Sequence, residues 1–393
     1  MRRNRILVYL LILGSGILVG NFGGSISYLL FYSTLIVPAL SLIYIVIVYQ
    51  KFCIYQEIGT KVLVKEEKVP YLFKLCNEDV LAYTRIQVNF MKDLSTVQNM
   101  QQSAEYCMLP QEQIERATTL CCHYRGGYSV GIDEVTVTDY LNLFRFTYKC
   151  KSKINVKVLP RVLHLEKLAI APKSEDMKYQ KFSIQTRQEV PDIEVRRYQS
   201  SDSPRMIHWK ATAKYGELLT RKYTEEPKTE LVLIVDFRRL NENEEVRIVI
   251  EDKMIEALLA VADYFVRNHT PVSVLFDQRG VQKLPLFNAD DFQQLYQICS
   301  EVKFQSEINC EKLLTYSMKN SVGRQYCMLL TSSMTNEFCQ MAYQYVNMEH
   351  ELSIVMVGED TEHEKIKEID ERIHYYKIGK QQEVCDVLEM EEV

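Results

Sequence analysis

The densest concentration of chemically capable side chains lies between Glu194 and Lys222. Seven basic residues (Arg196, Arg197, Arg205, Lys210, Lys214, Arg221, Lys222) stand there against three acids (Glu194, Asp202, Glu217). The single Trp of the chain, Trp209, sits between His208 and Lys210. Arg and Trp anchor many protein interfaces, so the composition suits a docking surface for an acidic partner or a phosphate. It also suits a structural junction in which Trp209 packs inward, His208 donates to a backbone carbonyl, and Asp202 pairs with Arg205 or Arg197. We expect both halves: Trp209 and His208 turned inward, the cations facing a partner. General-base work by His208 would need a nucleophile that the block lacks. The punctuation predicts a helix capped by Asp202 or Ser203, starting at Pro204 and stopped by Gly216.

A second candidate is thiol chemistry. The chain holds 11 cysteines in scattered positions, with no Cys-x-x-Cys pair and no His-x-x-x-His. That pattern gives a zinc site no support and suits reduced thiols acting as small hydrophobes. Cys121, Cys122 and His123 adjoin, but sequence neighbours rarely form a nucleophile and its base. The rival to a binding function is a thiol hydrolase that uses Cys121, Cys122 or Cys150 with His208. A third class is an anionic-lipid or phosphate-binding module built on the basic island.

The elements that must position these residues follow from hydropathy. Met-Arg-Arg-Asn-Arg precedes an apolar run, Ile6–Gly20, and Asn21–Gly24 separates it from a second run, Ile26–Tyr49. Two spans in a helical hairpin account for both; a cleaved signal peptide followed by one span is the alternative. Three Arg before the first run, and Lys51, Lys61 and Lys65 after the second, place both ends in the cytoplasm by the positive-inside rule.

From about Phe52 to Glu166, short runs such as Lys61–Lys65, Tyr71–Leu75, Thr84–Phe90, Glu134–Thr138, Phe144–Tyr148 and Ile154–Leu159 alternate or nearly alternate in polarity. They predict a β-rich, sandwich-like domain. From Glu230 the pattern changes to continuous apolar strands (Glu230–Phe237, Val272–Phe276, Tyr326–Leu330, Ile354–Val357) alternating with amphipathic helices, the first from about Glu251 to Asn268. This predicts a parallel, doubly covered α/β sheet. Ligands on such sheets bind at the carboxyl ends of strands, which directs attention to Asp236, Asp277 and Thr331–Ser333. Acidic Asn241–Glu245 reads as a solvated loop. The expected layout is a hairpin (1–50), a β-rich domain (51–166), a linker with the basic block (167–229) and an α/β domain (230–393). With a net charge of −5, the chain is not composed like a nucleic-acid binder, and the basic block is a local signal.

Arg197-Tyr198, Asp202, Pro204-Arg205, Ile207 to Lys214 with its central His-Trp-Lys, Leu218-Leu219 and Arg221 together resemble a known signature. It is that of the bacterial proteins carrying domain of unknown function 58, which are associated with MoxR-type AAA+ ATPases. Arg125-Gly126 with Tyr128 and Gly131, and Asp139 with Leu143-Phe144 before Leu159-Pro160-Arg161, fit the same family. The Gly that precedes the Asp in the signature is Ser201 here. The resemblance implies a MoxR-type ATPase as partner and a von Willebrand A-like α/β domain; with two apolar runs and no catalytic constellation, the reading is a membrane-anchored, cytoplasmic-facing, non-enzymatic adaptor.

Domains of that type which hold a divalent ion use Asp-x-Ser-x-Ser after the first strand. This chain has Asp236-Phe237-Arg238-Arg239-Leu240, and Ser332 follows Thr331 where such domains carry Asp. One carboxylate beside two guanidiniums cannot supply the oxygen ligands magnesium requires. The expectation is therefore a degenerate site at Asp236, Arg238, Thr331 and Ser332, with Arg238 or Arg239 pairing Asp236 and no cofactor.

Overall fold

A computed structural model describes residues 2–91, 94–98, 103–150, 153–169, 191–198, 207–223, 230–321, 323–358 and 373–390. The chain divides into two compact units, Met1–Arg161 and Val162–Val393.

The first unit opens with helices α1 (Arg2–Phe22) and α2 (Ser25–Lys51). Gly23 and Gly24 turn the chain between them at φ 57° and 88°, conformations that suit residues without a Cβ. Both helices are long and apolar enough to cross a membrane. The Ser15 and Thr34 hydroxyls share a 3.1 Å hydrogen bond between the two helices, a polar contact of the kind that joins helices in apolar surroundings. The last three turns of α2 belong to the β-rich core: Ile45 and Val48 are fully buried in it.

That core is enclosed by eleven strands among the described residues. They are β1 (Cys53–Ile58), β2 (Val62–Val64), β3 (Lys68–Cys76), β4 (Tyr83–Phe90), β5 (Ser95–Val97), β6 (Ser103–Met108), β7 (Gln113–Cys122), β8 (Gly126–Val130), β9 (Ile132–Thr138), β10 (Arg145–Lys149) and β11 (Ile154–Leu159). They form sheets in the orders β1-β3-β7-β5, β10-β9-β4-β6 and β2-β11-β8. Alternation explains the packing: Val69, Tyr71, Phe73 and Leu75 of β3 point into the core, as do Ile86, Val88 and Phe90 of β4. Phe73 meets Phe90 edge-on with ring centroids 5.6 Å apart, which closes one sheet against another.

The second unit begins with Val162–Ala169 laid against its α/β core. Leu165 and Leu168 are buried there, and Arg267 donates to the Leu165 carbonyl at 3.0 Å. The division thus falls after Arg161, not after Glu166, because these two leucines find their apolar surroundings in the α/β domain. Next come β12 (Pro191–Arg197), α3 (Trp209–Tyr215) and β13 (Leu219–Tyr223).

The α/β domain follows as β14 (Glu230–Val235), α4 (Glu244–Arg267), β15 (Val272–Asp277), β16 (Val281–Leu286), α5 (Ala289–Glu301), α6 (Cys310–Lys319), β17 (Gln325–Thr331), α7 (Asn336–Asn347), β18 (Glu351–Val357), β19 (Ile373–Ile378) and α8 (Val384–Glu389). Its sheet has the order β16-β15-β14-β17-β18-β19, parallel except for β16, which pairs antiparallel with β15. Buried residues of β14 and β17 feed apolar clusters on both faces of the sheet. Helix α4 starts seven residues before the expected Glu251. Its first turn takes Glu244 and Glu245 from the stretch read as a loop, and acids there favour the helix dipole.

Candidate functional site

The basic block is a strand–helix–strand unit. Strands β12 and β13 pair antiparallel, with Arg197 opposite Leu219 and Arg196 opposite Thr220, and Ile207 forms an isolated bridge to Thr220. Helix α3 starts at Trp209 rather than Pro204. Its cap is His208, whose ring Nδ1 accepts from the Ala211 N–H at 3.2 Å; among the described residues this is the bond the ring makes, and it is made as acceptor. The His208 N–H donates to the Leu219 carbonyl at 2.8 Å, and the Thr212 hydroxyl accepts from the Leu219 N–H at 3.1 Å, which fastens the helix to β13. Gly216 ends the helix at φ 72°, in the left-handed region where glycine is the favoured residue.

Trp209 does not pack inward. It is 66% exposed, and Tyr215 and Leu218 of the same unit are exposed too. The reason is the late start: a seven-residue helix held through polar contacts buries none of its residues. Lys210 is exposed, and the Lys214 ammonium lies 5.3 Å from the centre of the Tyr215 ring, a cation–π distance. Arg197 bonds Glu217 through two contacts, 2.8 and 3.2 Å, both side chains largely in water, and Tyr198 donates its N–H to the Leu218 carbonyl at 2.8 Å. An exposed pair of that kind is worth about 0–1 kcal/mol. Asp202 and Arg205 lie outside the described residues, as does the side chain of Arg221, whose backbone pairs with Val195. The expected pairings of Asp202 lie outside with them.

At the carboxyl end of the sheet, Asp236 is 1% exposed and fully engaged. Arg238 Nε lies 2.9 and 3.0 Å from the two carboxylate oxygens, and its Nη2 2.6 Å from Oδ2. The Arg238 N–H also donates to Oδ1 at 3.1 Å, and the Thr331 hydroxyl stands 3.0 Å from Oδ2. Of the two arginines weighed for this role, Arg238 takes it and Arg239 faces solvent. The guanidinium reaches on to the Ser333 hydroxyl at 3.2 Å and to Cys310 Sγ at 3.5 Å. Ser333, not Ser332, is therefore the residue drawn in from the β17–α7 loop.

Its hydrogen bonds to the Asp236 carboxylate hold the Arg238 guanidinium's pKa above its ordinary value against the opposing effect of burial. Burial, and the negative Asp236 and Glu311 nearby, push the Cys310 thiol up. Glu311 accepts from the Thr335 hydroxyl, which ties the start of α6 to that of α7. Neighbouring Asp277 accepts from Ser306 Oγ at 2.6 Å and the Gly280 N–H at 2.9 Å. Burial would raise its carboxyl, but these bonds outweigh it and hold the carboxyl below the usual range. Cys310, Glu311 and Thr335 carried no local signal in the sequence.

The cysteines of the hydrolase reading are buried: Cys121, Cys122 and Cys150 are 8%, 0% and 5% exposed. Burial raises the Cys121 and Cys122 thiols, the opposite of nucleophile activation. His208 has one ring nitrogen committed to its cap. What the geometry presents is an exposed Trp209 next to an exposed Lys210, and a carboxylate satisfied from within.

Among known proteins, the family described as "Protein of unknown function DUF58" matches residues 194–365, which spans the basic block and most of the α/β sheet. Comparison with curated proteins gives no match. Among solved structures, the chain is similar to proximal thread matrix protein 1 from the mussel byssus, at 11% identity and TM-score 0.32, over 42% of this chain and 46% of that one. It is similar to a von Willebrand factor type A structure from Catenulispora acidiphila at 13% identity and TM-score 0.30, over 41% and 40%. A CARDB domain from Pyrococcus furiosus, solved with di-metal ions, gives 12% identity and TM-score 0.19, over 27% of this chain and 91% of that domain. The chain thus spans under half the length of the mussel and Catenulispora structures.

Proposed function

We propose that this chain, whose residues 194–365 form a DUF58 region, is a membrane-anchored partner-binding scaffold rather than an enzyme, working with a MoxR-type AAA+ ATPase. The observation that carries the reading is the exposed Trp209 beside Lys210, at the start of a helix fastened to its hairpin by polar contacts. A Trp contributes on the order of 150–250 Å² when it docks, enough to anchor an interface. The cations around it suit an acidic partner surface.

Two further features support the reading. The α/β sheet order, with its third strand antiparallel, fits the von Willebrand A-like domain that the resemblance implies. The carboxylate that would hold an ion in such a domain is paired with Arg238. The two apolar helices supply the anchor, with both helix ends and the second unit on the cytoplasmic side.

The test is co-purification from membranes, comparing the wild type with Trp209→Ala and Lys210→Glu. Loss of a hot-spot Trp costs about 2 kcal/mol or more, roughly 30-fold in affinity, so a AAA+ ATPase should follow the wild type and fall away with Trp209→Ala. Equal recovery with all three chains would remove Trp209 from the interface.

A further inference from the structure

We infer that the β-rich domain is seated directly on the bilayer, with the second half of α2 lying between the domain and lipid. This deepens the reading of α1 and α2 as membrane spans and rests on it.

From Ser41 onward, α2 has two distinct faces. One face, Ser41, Tyr44, Ile45 and Val48, follows helical spacing into the domain. The Ser41 hydroxyl donates to the buried Asp139 carboxylate, and the Tyr44 hydroxyl donates to the Ala82 carbonyl at 2.8 Å. A soluble surface helix would carry polar residues on its other side. Here that side is Leu42, Ile43, Val46 and Tyr49, exposed by 42%, 55%, 38% and 42%. A helix that is apolar all round, with one side in a protein core, needs an apolar medium on the other.

Two neighbouring features extend the patch. Tyr140 and Leu141 project from the loop after β9, exposed by 59% and 40%, and the Tyr140 ring meets that of Tyr44 at a tilt of 47° with centroids 4.7 Å apart. The same loop is tied to the start of α1: Asn4 donates to the Leu141 carbonyl at 2.9 Å, and Arg5 to the Leu143 carbonyl at 2.7 Å. The loop therefore sits at the level where the first span enters lipid. Exposed Arg2, Arg3 and Arg145 lie at this level, as suits phosphate headgroups.

Length gives the same answer. The part of α2 clear of the domain, Ser25–Leu40, is roughly 16 residues or about 24 Å, shorter than the hydrocarbon core of about 30 Å. The shortfall is met only if the turn from Ser41 onward begins inside the interface. Tyr at that depth has its usual interfacial place. The covering medium is the bilayer and not a second copy, because the patch is continuous with the lipid-facing sides of both spans.

The chain's single Trp makes the test direct. In a full-length Trp209→Phe background, Leu141→Trp, Val46→Trp or Glu66→Trp places one indole at a time. Glu66 lies at the opposite end of the domain, where its N–H meets the Cys122 carbonyl. Each chain is reconstituted into phosphatidylcholine–phosphatidylglycerol vesicles with and without brominated acyl chains. The expected result is loss of most of the emission at positions 141 and 46 and none at 66. Emission at 141 and 46 that stays as bright as at 66, with the protein resistant to carbonate extraction, overturns the seating but leaves the spans. Release by carbonate overturns the spans themselves. Quenching that appears only after a crosslinked dimer is dissociated assigns the patch to a second copy and also overturns the inference.

Discussion

Replacing Arg238 with Met strands the Asp236 carboxylate. In the wild type the guanidinium supplies three of the close contacts to a group that is 1% exposed, and its own side chain is 20% exposed. Removing one partner of a buried pair costs about 3–5 kcal/mol, because the remaining charge keeps its desolvation without its compensation. Two donors survive the change, the backbone N–H of position 238 and the Thr331 hydroxyl, which argues for the lower end, about 3 kcal/mol. A chain with two compact units need not melt in one step, so a single melting temperature would be hard to interpret.

Native-state hydrogen exchange on peptides from β14 and β17 reads the local loss instead. At about 1.4 kcal/mol per decade, exchange there should accelerate about 100-fold, while peptides from β3 and β4 stay unchanged. Asp236→Asn/Arg238→Met should recover most of the loss, since the pair is then replaced and not broken. The reasoning fails if Arg238→Met accelerates exchange by less than about fivefold, or if the double variant is as labile as the single one.

The same domain carries a pH signature. His350 accepts the Gln325 N–H on Nδ1 at 3.1 Å, and burial lowers its pKa below the ordinary value. The unfolded chain takes up the proton near pH 6.5 and the folded one only below that, so the stabilisation is complete above about 6.5 and is lost as pH falls through the folded value. Exchange in β17 should therefore quicken between pH 7 and the acid side with a slope of up to about 1.4 kcal/mol per unit, and His350→Asn should flatten it. Thiol labelling gives a separate check: exposed Cys107 should react first, and Cys121 and Cys122 only on unfolding. Rapid modification of Cys121 in the folded chain at neutral pH would reopen the hydrolase reading.

What could be read from the sequence followed the strength of local signals. Helices α1 and α2 announce themselves because every turn is apolar, and β14, β15, β17 and β18 because they are continuous apolar runs bounded by turn residues. Strand β16 is an edge strand with half its residues in water and Pro285 within it, a proline tolerated only where no further strand needs its missing N–H. Its pattern, Val-Gln-Lys-Leu-Pro-Leu, reads as loop. Strand β7 lacks a legible pattern for a similar reason: Gln-Ile-Glu-Arg-Ala-Thr-Thr is mostly exposed, and burial begins only at its end. The start of α3 at Trp209 is hard to read because Asp202-Ser203-Pro204 is a strong local start signal, whereas a His cap has almost none. Cys310, Glu311 and Thr335 join Asp236 and Arg238 only through the crossing of the β14, β17 and α6 connections, which no local pattern records.

The Arg238 contact also bears on where a partner would bind. If freeing Asp236 costs about 3 kcal/mol, the open form is populated at just under about 1%, and a ligand needing that carboxylate free loses about a hundredfold or a little more in affinity before any contact is made. Ligand binding at the carboxyl end of the sheet, the usual place in such folds, is thereby penalised by the chain's own side chain. Trp209 carries no such penalty: its indole is already in water and its helix already fastened to β13. The short length of α3 that leaves Trp209 outside is thus, in the proposed scaffold, what makes the basic block a surface instead of a seam.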